Sequence, residues 1–141
     1  NLTTALVEEH IGISKDYNVF ELQRALVQKD IARANRIVAY FEANPKSAPL
    51  AMVVPVLHAF FARVLVYQSL GNPSESAAAK AMRCSPYAVK DYARASQAFP
   101  PAKLERIFGY LIEADRKSKG RENATITDGM LLRETVFKVL H

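Results

Sequence analysis

The side chains best suited to chemistry in this chain are one thiol and three imidazoles. Cys84 follows Arg83 and stands just before Ser85, which reads as a helix N-terminus; a neighbouring cation and a helix dipole both lower a thiol's pKa. A single cysteine closes no internal disulfide, and a small buried hydrophobe in a turn is the simpler reading. His58 lies in the most apolar stretch, which suits a neutral core or interface histidine better than a proton switch, while His10 and His141 lie near the ends. None of these residues falls at metal-ligand spacing. The chain also lacks a Gly-rich phosphate loop, a His-Glu-x-x-His pair, a Cys-x-x-Cys pair and a nucleophile elbow. The sequence therefore assigns no catalytic residue, no metal and no cofactor, and it leaves the work to surfaces.

Charge offers a second kind of chemistry. The 141 residues carry 19 Lys and Arg against 14 Asp and Glu, a net charge of +5, with an isoelectric point near 9.4. This favours polyanions but falls well short of a dedicated DNA-binding arm. One basic cluster is Arg24, Arg33 and Arg36. Another is Arg116, Lys117, Lys119 and Arg121, at the start of a polar run over 117–128 that is predicted to connect two helices. Lys117, Lys119 and Arg121 are accordingly the candidates for lying near a nucleic-acid backbone. A sharper local pattern is Ala77-Ala78-Ala79-Lys80-Ala81-Met82-Arg83-Cys84-Ser85-Pro86-Tyr87-Ala88-Val89-Lys90, two helices across a tight turn with Ala79, Cys84 and Val89 inward. It has the look of a helix-turn-helix, which would turn Ser85, Tyr87, Lys90 and Asp91 toward bases and Lys90 and Arg94 toward phosphates. Arg83 occupies the turn position where glycine is usual, and Asp91 would repel phosphate.

Helices must position all of these groups. Half of the residues are apolar and five are glycine, and apolar positions recur at helical spacing throughout. A short helix is predicted over Thr4 to His10, stopping at Gly12. Asn18, three residues before Glu21, has capping-box spacing for a helix with Val19, Leu22 and Leu26 on one side. Asp30 caps the next helix, striped by Ile31, Ala34, Val38 and Phe41 and ending before Asn44-Pro45. Leu50 to Leu70 is apolar nearly all round, as expected of a central helix surrounded by others, with Pro55 predicted either to kink it or to mark its effective start. A membrane span there is disfavoured by Arg63 near the middle. Helices over Ser74 to Met82, Tyr87 to Phe99 and Pro101 to Lys119, and a last one carrying Leu131, Leu132, Val136 and Val139, complete an all-α antiparallel array of about seven or eight helices. No leader opens the chain, so the expected compartment is cytoplasmic.

Taken in order, Asn18-Val19-Phe20-Glu21-Leu22-x-x-Ala25-Leu26, Asp30-Ile31-x-x-Ala34, Phe60-Phe61-x-x-Val64-Leu65 and Met82-x-x-Ser85-Pro86-Tyr87-Ala88-Val89-Lys90 resemble the delta subunit of the bacterial DNA polymerase III clamp loader. The closing Asp128-Gly129-x-Leu131-Leu132-x-Glu134-x-Val136-Phe137-Lys138-Val139-Leu140 is similar to the last helix of Bacteroidetes-like members. The resemblance implies a clamp-loader collar fold over 17–141, through which five subunits pack into a ring, preceded over 1–16 by the tail of an AAA+ lid domain and a linker. It implies as partners the gamma/tau and delta-prime subunits, primer-template DNA through the assembled complex, and the sliding clamp only through an amino-terminal module that is not in this sequence. A stand-alone helix-turn-helix DNA-binding domain is the alternative. Docking in a ring calls for large side chains at the edges of helical stripes, and Tyr67, Tyr87, Tyr92, Phe99 and Tyr110 are the candidate interface residues.

Overall fold

A computed structural model describes residues 15–120 and 126–141. The predicted helix over Thr4 to His10 and the candidate Arg121 lie outside the described residues. Within them the chain forms seven helices: α1 (Val19–Gln28), α2 (Ile31–Ala43), α3 (Leu50–Ser69), α4 (Glu75–Met82), α5 (Pro86–Ala98), α6 (Pro101–Gly120) and α7 (Asp128–Leu140).

Side chains next to the helices set most of these boundaries. The Asn18 carboxamide oxygen accepts from the backbone N–H groups of Phe20 and Glu21, both at 3.0 Å, and Lys29 ends α1 in the left-handed region at φ 53°. Asp30 follows at once, its carboxylate accepting from the N–H of Arg33 at 3.1 Å. That adjacency makes α1 and α2 a hairpin with almost no loop, closed by a Glu21–Arg33 ion pair. Ser74, Ser85 and Thr127 cap α4, α5 and α7 in the same way through their hydroxyls.

Helix α3 lacks such a cap, because Pro49 precedes it. Its first N–H, on Leu50, instead donates to the carboxylate of Asp128 at 2.9 Å. The other Asp128 oxygen accepts from Ser118 at 3.0 Å, so one carboxylate ties the start of α3 to the end of α6 and the start of α7. Gly129, beside it, allows a close approach: a Cβ there would stand 2.4 Å from Cγ of Glu42 on α2. Pro55 lies in the second turn of α3 and does not mark its start; the helix begins at Leu50. So near the N-terminus proline removes only the one bond to the carbonyl of Ala51.

Helix α3 carries the core. Leu57, Phe61 and Val64 are buried against Leu104, Ile107 and Leu111 of α6, and Phe61 meets Phe99 edge to face with ring centroids 5.5 Å apart. Phe99 is 0% exposed, which corrects its reading as a candidate interface residue: its ring fills the centre of the core and has no open face. A smaller cluster seals the α4–α5 hairpin, with Ala78, Ala79 and Val89 packed by Tyr67, Leu70 and the half-buried Cys84. Arg63 joins the two clusters. Its guanidinium donates to the carbonyl of Met82, the last residue of α4, at 2.5 Å and to the Tyr92 hydroxyl of α5 at 2.9 Å.

Candidate docking surface

The sequence predicts an α3 enclosed on every side, and here the structure corrects it. Only 33% of the most apolar window of α3 is buried, although by length and composition this helix, alone among the described residues, is apolar enough to cross a membrane. Met52, Leu65 and Val66 are 41%, 42% and 46% exposed, and Ala51, Pro55, His58 and Ala59 are exposed beside them. Positions 52, 55, 59, 62 and 66 alternate steps of three and four and so share one face of the helix. Alanines at 59 and 62 keep that face low enough for another backbone to approach. Helix α6 widens it, because the His58 ring lies 5.3 Å from that of half-buried Phe108, and Ile112, one turn beyond Phe108, is 63% exposed. His58 is therefore a surface residue rather than a core one. Contiguous exposed apolar patches are the usual feature of association sites on soluble domains.

The aromatic candidates fall mostly elsewhere. Tyr87 is 79% exposed, with the Lys90 ammonium 5.9 Å from its ring centroid. Tyr92 spends its hydroxyl on Arg63 and packs its ring against Phe60 at 5.6 Å, Tyr67 supports the α4–α5 cluster, and Tyr110 lies under the ammonium groups of Lys103 and Lys138. All three are half-buried. Among the other side chains that stand open, Met52, Leu65 and Val66 escape a sequence reading because their helix is apolar nearly all round, and Ile112 because it falls at the edge of the apolar stripe of amphipathic α6. Phe20, 62% exposed, lies off the Val19, Leu22 and Leu26 stripe of α1; it borders a hollow of about 250 Å³ between α1 and α5, rimmed by Arg24, Asp91 and Arg94.

The charged candidates are also redistributed. Lys117 and Lys119 are not on a connection but in the last turn of α6, where acidic residues one turn away meet them. Lys119 pairs with Asp115 at 2.9 Å, Arg116 with Glu113 at 2.6 Å, and Lys117 lies 3.8 Å from Glu113 and 3.7 Å from Glu134. The Arg116 hydrogen bond holds the Glu113 carboxyl below its ordinary range, and the Lys138 hydrogen bond, then the Lys117 charge, does the same for Glu134.

At the other end of α6 the balance differs. Lys103, Arg106 and, just past α1, Lys29 form no ion pair among the described residues. Burial, then the charges of Arg106 and Lys29, push the Lys103 ammonium down from its ordinary pKa. In the α4–α5 hairpin, Arg83 holds the left-handed turn position at φ 54°, and the Ser85 hydroxyl caps α5 by accepting from the N–H of Ala88 at 3.1 Å.

No group of three or more His, Cys, Asp or Glu that could hold a metal occurs among the described residues. The fold is an all-helical array that leaves one apolar face open. The family model of the DNA polymerase III delta subunit, C-terminal domain, matches residues 16–133, and the chain belongs to that family. Membership assigns it to the clamp loader of DNA replication. No curated protein and no solved structure matches it.

Proposed function

We propose that the chain is the collar domain through which the delta subunit enters the pentameric clamp loader, with 17–141 forming the collar and 1–16 the end of a preceding AAA+ lid domain and its linker. The observation that carries this reading is the uncovered apolar face of α3, continued by Phe108 and Ile112 of α6. A face of this kind associates because removing apolar surface from water contributes about 25 cal/mol per Å². Stable interfaces bury about 800 Å² on each partner, and only the surplus over lost rotational freedom and side-chain ordering appears as affinity. Helices keep the second cost low, since α3 is fixed along its other side by the core.

In this reading the neighbours are the gamma/tau and delta-prime subunits, in the cytoplasm. ATP hydrolysis and the grip on the sliding clamp belong to other modules, and primer-template DNA is met by the assembled complex. The α4–α5 hairpin serves as packing: its inner side is sealed on Tyr67 and Leu70. Mixing the chain with its cognate gamma/tau and delta-prime subunits tests the reading. A single co-eluting species is expected on size-exclusion chromatography, and separate elution of the chain at micromolar concentrations would overturn it.

A further inference from the structure

We propose that Lys29, Lys103 and Arg106 form a seat for the phosphates of a nucleic-acid strand, at the opposite end of α6 from the lysines that the sequence favoured. Lys103 and Lys117 stand on one helix, about 20 Å apart at the helical rise per residue. Around Lys117, acidic residues at Glu113, Asp115 and Glu134 consume the charge. Around Lys103 no described acidic side chain forms an ion pair with any of the three cations.

Three features make this group more than a set of solvated lysines. Lys103 is half-buried and held, its ammonium donating to the backbone carbonyl of Lys138 at 2.9 Å and lying 5.8 Å from the Tyr110 ring centroid. Lys29, at the left-handed end of α1, places its ammonium 5.7 Å from the ring centroid of Phe99, which the core immobilises. Arg106 is exposed one turn beyond Lys103 and brings a planar fork that matches two phosphate oxygens. Burial first, and then the charges of Arg106 and Lys29, hold the Lys103 ammonium below its ordinary pKa, so the three like charges are close enough to repel one another. An anionic ligand relieves that repulsion, and two or three cations from separate elements match the repeated charge of a strand better than a single carboxylate. The choice of DNA as the polyanion rests on the clamp-loader reading above.

The test uses the full-length subunit and a fluorescent single-stranded oligonucleotide, titrated by anisotropy between about 50 and 200 mM salt. Each lost phosphate contact flattens the plot of log affinity against log salt by about 0.7 for a single strand, so K29Q/R106Q should flatten it by about 1.4. A charge-matched control, K46Q/K80Q, exposed and distant in sequence, should leave the slope unchanged. K103Q is read only if circular dichroism shows a native helix content, since it also loses the bond to Lys138. An unchanged slope for K29Q/R106Q, equal flattening in the control, or an equal loss of affinity for polyglutamate would each overturn the proposal. Co-elution of the wild-type subunit with its partners is recorded alongside: its failure would sink the collar reading, while the salt slope would still report on the seat.

Discussion

The two faces of α3 have nearly the same chemistry and opposite fates. On one, Leu57, Phe61 and Val64 are at most 2% exposed; on the other, Leu65 and Val66, next along the chain, are 42% and 46% exposed. Hydropathy separates the two poorly, because the covered face is built of aliphatic residues and phenylalanine and the open one of aliphatic residues, alanine and methionine with Pro55 and His58 among them. What separates them is the supply of neighbours: α5, α6 and α1 cover one side, and no described helix covers the other. Uniform hydropathy along a helix therefore means that both faces leave water, and it does not say whether the second does so in the same chain or against another.

Breaking the covered face gives the largest effect. Phe61→Ala removes the ring that meets Phe99 at the centre of the core and should cost about 3 to 5 kcal/mol in urea unfolding, the range for large cavities. Arg63 sits between the faces and sharpens the comparison. Arg63→Leu keeps the apolar stem but strands the Met82 carbonyl and the Tyr92 hydroxyl, and should cost about 1 to 3 kcal/mol by the same measurement.

The smallest effect concerns acid. Glu134 has a folded pKa below its ordinary value of 4.5, so its contribution to stability is complete above pH 4.5 and is lost as the pH falls through the lower folded value. Because the side chain is 47% exposed, solvent screening keeps this contribution well under about 1 kcal/mol. Unfolding curves at pH 7 and in the acid range should show a decline that Glu134→Gln partly removes.

Most of the fold was legible in the sequence because its punctuation is local. Asn18, Asp30, Ser74 and Ser85 announce helices with their own side chains, and the stripe of Leu104, Ile107 and Leu111 points at the core wherever the partner lies. The surfaces were less legible because they depend on distance across the chain. Asp128 capping α3, 78 residues away, has no local signature. Lys117 and Lys119 read as free cations until the continuation of α6 to Gly120 sets Glu113 and Asp115 one turn behind them. Phe99 reads as a large residue at the edge of its helical stripe, yet its ring packs edge to face on Phe61 across the core, a contact 38 positions away that leaves no local trace.

The central claim is that the open face of α3 holds the chain to its neighbours, and Leu65→Glu with Val66→Glu addresses it most directly. Two charges placed on a solvated face should leave unfolding within about 0.5 kcal/mol of the wild type, as for most surface substitutions. The same charges buried unpaired in an interface should abolish association. The decisive measurement is the affinity of this folded double variant for the gamma/tau and delta-prime subunits by surface plasmon resonance. The account predicts a loss of at least about a hundredfold, the effect of some 3 kcal/mol; wild-type affinity in a natively folded variant would contradict it.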